Sequence, residues 1–221
     1  MREYATAPGQ RAMVRLPDGS QVTLSVASRL RYPESFPGAA RREIHLEGEA
    51  VFEVKHDSRR PFVVHSGDAV TEDLGTTFSV RAYPTDTAVR VVVTEGSVEL
   101  RARRLPAGRR GVVLVAGQLG ELNRNGNTVV RSEANASRYL AWRDGRLTID
   151  DTPLRIALPE LSRWYDLHFV LHDPTLGNRI LTASFGGDSV TQTLDLVAAA
   201  LDARYERVGR TVTWYAKSRA R

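Results

Sequence analysis

The sequence predicts a mainly β protein that ends in a smaller α+β part. From about Arg11 to Arg131 the apolar residues recur at every second position, which places them on one face of a strand. Gly and Asn interrupt this region so often that only short strands joined by tight turns fit. After about Ala134 the spacing changes to a mixture of strand and helix periods. We therefore expect an all-β two-sheet sandwich or solenoid-like module, followed by a small sheet with two helices.

Composition excludes several classes of protein. Of the 221 residues, 42% are hydrophobic and 26% are charged, which is typical of a globular chain and unlike a disordered one. The absence of cysteine excludes disulfides, thiolate zinc sites and cysteine nucleophiles. No apolar stretch approaches the roughly 18 to 20 residues that a membrane helix needs. The net charge of +5 gives little support to nucleic-acid binding, because the one dense basic run, Arg101 to Arg110, is typical of a solvated loop.

The alternating apolar positions predict about a dozen short strands in the first part of the chain. These positions are Val22, Leu24 and Val26, then Ile44 and Leu46, then Ala50, Phe52 and Val54, then Phe78 and Val80, then Val89, Val91 and Val93, then Val98 and Leu100. Turn signals separate them at Asp18-Gly19, Pro37-Gly38, Glu47-Gly48, Ser66-Gly67, Glu95-Gly96, Gly117 and Asn125-Gly126. No helix of ordinary length is expected here, since Gly or Pro interrupts nearly every window.

The second part begins with Leu147 and Ile149, which alternate as a strand. Thr152 and Pro153 then predict a helix start, with the hydroxyl able to cap and the proline at the first helical position. The helix that follows has its apolar stripe at Leu154, Leu158, Leu161 and Tyr165. Pro159 lies within it and should kink the helix or limit its first part to a short turn.

The same order of elements then recurs. A strand around Phe185 precedes a helix capped by Asp188 or Ser189, with an apolar stripe at Val190, Leu194, Val197 and Leu201. Strands near Ala203 to Val208 and Thr211 to Tyr215 end the chain. A shift of 36 residues aligns the two helical stripes. We therefore expect a duplicated βαβ unit that leaves a strand edge open for pairing.

Catalytic motifs are missing from the sequence. It has no nucleophile elbow, Walker loop or dinucleotide fingerprint. His168 and His172 have the spacing of a helical zinc pair, but their segment is predicted to be a strand. Glu47 and Glu49 could form the carboxylate pair of a glycosidase, yet beside Gly48 they are more typical of solvated side chains at a turn. We therefore predict no enzyme, no cofactor and no metal site.

Several blocks of sequence, in order, resemble the FecR-type regulators of cell-surface signalling. The blocks are Leu16-Pro17-Asp18-Gly19-Ser20, Leu46-x-Gly48-Glu49-Ala50-x-Phe52-x-Val54, Arg60-Pro61-Phe62-x-Val64, Leu74-Gly75-Thr76-x-Phe78-x-Val80, Val93-x-Glu95-Gly96-x-Val98 and Trp142-x-x-Gly145-x-Leu147. The segment from Arg146 resembles the short domain at the N-termini of secretins and TonB-dependent transducers. The resemblance implies a FecR-like all-β domain over 1–133, a connector over 134–145 and the short α+β domain over 146–221.

The resemblance also implies a function and its partners. FecR-type regulators are single-pass anti-sigma factors with a cytoplasmic sigma-binding segment, one membrane helix and a periplasmic part. That part contacts the signalling domain of an outer-membrane TonB-dependent receptor, in iron uptake through siderophores or haem. The chain begins about where the family's helix ends, so we expect it to be the periplasmic portion. Its expected partners are the receptor, an extracytoplasmic-function sigma factor through the cytoplasmic segment, and site proteases, with no nucleic acid.

We expect the receptor to extend an edge strand of the C-terminal sheet, either Ile180 to Phe185 or Thr211 to Tyr215. The candidate partner-binding residues are the side chains along these strands and the nearby tryptophans: Trp164, Ile180, Thr182, Ser184, Thr211, Thr213, Trp214 and Tyr215. An alternative is a module that binds carbohydrate or cell envelope on an aromatic platform of Tyr32, Tyr83 or Trp142.

Overall fold

The computed structural model describes residues 1–36, 38, 40–73, 75–104, 110–132 and 136–217. Among the residues used in the sequence predictions, Pro37, Leu74, Arg109 and Ala134 lie outside these ranges. The chain divides into two units, Met1–Leu140 and Ala141–Arg221. Each unit has a hydrophobic core of its own, and the two cores share no residue.

Strands make up more than half of the described part of the first unit. They are β1 (Arg2–Ala5), β2 (Ala12–Arg15), β3 (Gln21–Leu24), β4 (Arg29–Tyr32), β5 (Arg42–Glu53), β6 (Phe62–Ser66), β7 (Ala69–Asp73), β8 (Thr77–Ala82), β9 (Ala88–Glu95), β10 (Ser97–Ala102), β11 (Val112–Val115), β12 (Gln118–Asn123) and β13 (Thr128–Ser132). They pair in the order β11-β10-β7-β6-β5-β8-β9-β12-β13, and β5 also pairs with β3 and β4. The predicted mainly β fold class is confirmed.

The longest strand, β5, organises the first unit. Its first half pairs with β4 and β6, and its second half pairs with β3 and β8. Gly48 lies between the halves with a φ of +102°, and a Cβ there would lie 2.8 Å from the Ser28 Cα. Only glycine fits this close approach. The predicted turn at Glu47-Gly48 is therefore wrong, because the glycine serves the interior of a continuous strand.

Large apolar side chains from β2 to β12 converge on one core, as the alternating pattern predicts. The rings of Phe52 and Phe78 stack with their centroids 5.1 Å apart, and Phe62 lies 6.2 Å from Phe52. All three rings are fully buried. Aromatic pairs at this separation contribute dispersion and quadrupole attraction beyond the burial of their area.

A buried ion pair joins the first reversal of the chain to β5. The Arg42 guanidinium donates to Asp18 Oδ2 at 2.6 Å and to the Lys55 carbonyl at 2.8 Å, and its Nε donates to the Arg60 carbonyl at 2.8 Å. Asp18 also accepts from the Ser20 backbone N–H at 3.0 Å. Because every one of these polar groups has a partner, the pair can lie within the fold without an uncompensated charge.

The second unit contains two short sheets and two helices. Its elements are a 3₁₀ segment (Ala136–Asp144) that begins just before the unit, β14 (Arg146–Pro153), α1 (Leu154–Tyr165), β15 (His168–Leu171), a second 3₁₀ segment (Pro174–Asn178), β16 (Ile180–Gly186), α2 (Val190–Ala200), β17 (Ala203–Val208) and β18 (Thr211–Ala216). β14 pairs with β16, and β18 lies between β15 and β17. Both helices bury their apolar stripes in the core of this unit.

The helix ends differ in detail from the sequence predictions. Pro153 takes the N-cap position of α1, and the Thr152 hydroxyl donates to the Asp150 carbonyl at 2.7 Å instead of capping the helix. The helix continues through Pro159 to its last turn, so the predicted restriction to a short turn is wrong. Burial of the stripe on both sides of the proline holds the turn together. In α2 the cap is Ser189, in a capping box with Gln192.

The two halves of the second unit repeat the same order of strand, helix and strand, as predicted. Thr148 on β14 pairs with Ser184 on β16, and these positions are 36 residues apart. They are the equivalent positions of the two halves. Antiparallel strands that meet at equivalent positions are related by a local twofold axis.

Candidate functional site

The candidate site is the free side of β16. In the part of the chain that the structure describes, this strand pairs with β14 alone, so its other side faces no strand. A strand in this position presents a row of backbone N–H and C=O groups. Such a row can pair with an extended segment of another protein.

Side chains alternate along β16 between the core and the surface. Leu181 and Phe185 are buried in the core, whereas Thr182 and Ser184 are exposed. Ile180, at the start of the strand, is 49% exposed. One face of the strand is therefore packed into the core of its own unit. The other face exposes an apolar side chain, Ile180, at the start of the strand.

Contacts with β14 hold the exposed face of β16 in place. The Asp151 backbone N–H donates to Thr182 Oγ1 at 3.0 Å, and the hydroxyls of Thr148 and Ser184 are 3.5 Å apart. The pairing shifts between Ile149 and Thr152, where Asp151 has a φ of +43°. This shift is a β-bulge, a feature that increases the local twist of a strand pair.

The prediction that Thr211 to Tyr215 forms an edge is wrong. These residues lie in β18, which pairs in parallel with β15 on one side and antiparallel with β17 on the other. Both sides of its backbone are therefore occupied. The hairpin that joins β17 to β18 places the last strand in the middle of the sheet, and local sequence carries no signal for this order.

The two predicted tryptophan anchors have different environments. Trp214 is fully buried, and its ring lies 5.5 Å from Tyr205 and 6.5 Å from Phe169. It belongs to the core and cannot contact a partner in this fold. Trp164, in the last turn of α1, is partly buried and packs against the same core.

Thr211, Thr213 and Tyr215 lie on the outer face of the three-stranded sheet rather than on an edge. The Tyr215 ring is 4.7 Å from the His172 ring and 4.1 Å from the Arg204 guanidinium carbon. This stack was not predicted from the sequence. The alternation of His168, Val170 and His172 is the sequence signal that indicates this outward face.

The alternative aromatic platform is not present. Tyr32, Tyr83 and Trp142 are 8%, 6% and 6% exposed, so none offers a ring face to a sugar. The Tyr83 hydroxyl donates to the Val26 carbonyl at 2.7 Å, and burial raises the pKa of Tyr83 to about 12. These aromatic residues complete the packing of the fold.

The carboxylates considered for catalysis do not converge. Glu47 is exposed, whereas Glu49 is buried and lies 3.8 Å from the Arg81 guanidinium. Among the described residues, no group of three or more His, Asp or Glu side chains is placed to hold a metal ion. The described ranges also contain no helix with the length and hydropathy needed to cross a membrane.

The class of protein follows from the family models that match the β-rich unit and the α+β unit. The family model described as FecR protein matches residues 2–99, and the model described as FecR, C-terminal matches residues 146–214. Together they cover well over half of the chain. The chain belongs to the FecR family and is a FecR-like anti-sigma factor, as the sequence resemblance predicted.

Solved structures support the same assignment. A crystal structure of a candidate anti-sigma factor from Parabacteroides distasonis ATCC 8503 at 1.65 Å resolution is 27% identical, with a TM-score of 0.87, and the match covers 99% of this chain and 100% of that one. A second crystal structure described in the same words, at 2.50 Å, is 28% identical with a TM-score of 0.86, covering 98% and 99%. Among curated proteins no significant match was found. The whole chain, in both units, thus has the architecture of these relatives.

Proposed function

We propose that this chain is the periplasmic signalling portion of a single-pass FecR-type anti-sigma factor. In this proposal it binds the N-terminal signalling domain of an outer-membrane TonB-dependent receptor. The complex relays the availability of iron, as siderophore or haem, to an extracytoplasmic-function sigma factor. A cytoplasmic segment of the whole protein holds that sigma factor, and site proteases release it.

The observation that carries the proposal is the free side of β16. Family membership assigns the chain to signalling regulators, and such a regulator needs a surface that a receptor can occupy reversibly. A strand added to β16 would gain backbone hydrogen bonds, each with a net stabilisation of about 0.5 to 1.5 kcal/mol. Ile180 supports this mode of binding, because it is half exposed at the start of the strand and can enter an apolar pocket of the receptor.

Titration with the purified signalling domain of the cognate receptor tests the proposal. In Ile180→Lys a charge replaces the apolar anchor on β16, and we expect the affinity to fall by about tenfold or more. Val208→Lys is the matched control, because Val208 is 81% exposed at the end of β17, in the other sheet of the unit. This variant should bind within about twofold of the unchanged chain.

A shortened chain that ends near Asp144 provides a second comparison. It keeps the first unit and lacks β14 to β18, so we expect it to lose receptor binding. Equal binding by the shortened and the complete chain would show that the receptor contacts the first unit. Equal loss of affinity in the two lysine variants would show that β16 is not the contact.

A further inference from the structure

A cleft on the first unit has no part in the function proposed above. Its volume is about 560 Å³. Its wall is formed by β4, β5 and β6, by the ends of β8, β9 and β12, and by Arg103, which follows β10. Arginine and histidine dominate its charged lining: Arg29, Arg31, Arg103, Arg124, His45 and His65. The carboxylates in the wall are Glu47, Asp68 and Asp86. This size is within the range of sites that enclose small molecules.

One row of side chains crosses the wall of the cleft. Arg31 on β4 pairs in register with His45 on β5, and His45 pairs in register with His65 on β6. Side chains in register on neighbouring strands share a face. The two imidazole rings stack, with their centroids 4.9 Å apart and their planes 23° from parallel. The strand pairing therefore fixes three nitrogen-bearing groups side by side.

The charges that act on His45 are mainly cationic. The pKa of His45 is lowered by partial burial and then by the charges of His65, Arg103 and Arg31, whereas Glu43 acts weakly in the opposite direction. His65 faces the same carboxylate, at 3.4 Å from Nε2 to Oε2 of Glu43. Cationic groups thus outweigh acidic ones at the centre of the row.

Two carboxylates near the row already pair with its members, Glu43 with His65 and Glu3 with Arg31. Asp86 accepts from Arg81 Nε at 2.9 Å, and Glu3, outside the cleft wall, lies 3.1 Å from Arg29 and 3.6 Å from Arg31. In the described ranges, Arg103 has no carboxylate within ion-pair distance, and its side chain is exposed. Its guanidinium is available to a ligand.

We propose that this cleft binds a small solute through an oxyanion group, a phosphate or a carboxylate, held between Arg103, Arg31 and the imidazoles of His45 and His65. A guanidinium presents paired N–H groups that match two oxygens of such a group. An imidazolium adds a charge-assisted N–H donor. The remaining space accommodates the uncharged body of the solute.

Binding of an oxyanion here should be linked to proton uptake. A negative charge beside the imidazoles favours the protonated form, so the ligand raises the pKa of His45. The complex then binds more protons than the free protein, and affinity increases as the pH falls from neutral through the histidine range. The other charged side chains near the imidazoles are Arg31, Arg103, Glu43, Glu47 and Asp68.

The test is a titration of the whole chain followed by NMR of the histidine side chains, at constant ionic strength. Inorganic phosphate and citrate serve as separate probes, which distinguishes a phosphate site from a carboxylate site. We expect saturable changes in the NMR signals of His45 and His65 with at least one probe, together with a higher midpoint in the pH titration of His45. His168 and His172, in the second unit, are internal references that should not respond in the same way.

A pair of neighbouring arginines provides matched variants. Arg103→Gln removes a charge from the cleft wall, whereas Arg104→Gln removes a charge from an exposed side chain that does not line the cleft. We expect Arg103→Gln to weaken binding by about tenfold, the loss of one charge-assisted hydrogen bond, and Arg104→Gln to change it by less than about twofold. Equal weakening in the two variants, or shifts of His45 and His65 no larger than those of His168 and His172, would overturn the proposal.

Discussion

Single residues in the first unit show which structural features can be predicted from sequence patterns. The turn at Asp18-Gly19 is predictable because glycine supplies the positive φ of +90° that the reversal needs. The partner of Asp18 is not predictable, since Arg42 is 1% exposed and charged residues are rarely so deeply buried. The ion pair between Asp18 and Arg42 depends on how β5 and the first turn are arranged in space, and no local sequence pattern predicts this arrangement.

The buried pair leads to a prediction for Arg42→Met. Methionine keeps part of the volume but leaves the Asp18 carboxylate without its cationic partner. Removing one member of a buried ion pair costs on the order of 3 to 5 kcal/mol, so the free energy of unfolding of the first unit should fall by about that amount. Urea denaturation followed by far-UV circular dichroism measures it.

The adjacent residue gives the control for this substitution. Arg41 lies 3.1 Å from Glu72, but its side chain is 46% exposed. Exposed ion pairs contribute about 0 to 1 kcal/mol, so Arg41→Met should have little effect on unfolding. A comparable loss in both variants would mean that the burial of Arg42 is not the source of its contribution.

Helices and strands can be predicted from the sequence where the spacing of apolar residues is regular. The order of the strands within a sheet cannot be predicted in this way. The two helices of the second unit and most strands follow from spacing alone. The edge position of β16 and the central position of β18 do not, because both strands show the same alternation of apolar and polar residues. The sequence could therefore identify Ile180, Thr182 and Ser184 as candidates but could not exclude Trp214.

Helix α1 contains a proline whose effect can be measured. Pro159 lacks the N–H that would donate to the carbonyl four residues earlier, and its ring crowds that turn. We expect Pro159→Ala to raise the free energy of unfolding of the second unit by about 1 to 3 kcal/mol. Tryptophan fluorescence during urea denaturation measures the change.

A second proline serves as the control. Pro174 opens the short 3₁₀ segment, where the missing N–H has no partner to lose. Pro174→Ala should therefore produce no gain. If Pro159→Ala fails to stabilise the unit, the helix has adapted to its proline through the packing of its apolar stripe.

At the scale of the whole molecule, the two separate cores determine how the chain unfolds. Phe52 is fully buried in the first core, and Leu194 is buried in the second. The three tryptophans, Trp142, Trp164 and Trp214, all lie in the second unit. Tryptophan fluorescence therefore follows one unit, whereas far-UV circular dichroism follows both.

This division predicts different outcomes for two core substitutions. Phe52→Ala should cost about 3 to 5 kcal/mol in the first unit and leave the urea midpoint from tryptophan fluorescence unchanged. Leu194→Ala should cost about 2 to 5 kcal/mol and lower that midpoint. A shift of the fluorescence midpoint by Phe52→Ala would show that the two units unfold as one.

Of the three scales, the architecture of the whole chain was the most predictable from the sequence. Blocks of turn residues and core phenylalanines extend over nearly the entire sequence, and the FecR family models match the corresponding regions. The cationic cleft was not predictable, because Arg31, His45, His65 and Arg103 come from four separate segments. The pairing of β4, β5 and β6 brings the first three together, and Arg103 follows β10, which pairs with β7 beside β6.

The continuous course of β5 also limits how homologous sequences can vary in length. Inserting or deleting one residue on either side of Gly48 would exchange the inward and outward side chains of the rest of the strand. Because two neighbouring strands pair with each half of β5, both partners of the displaced half would lose their match at once. Gaps in alignments of related chains should therefore accumulate in the surface loops and avoid positions 42–53.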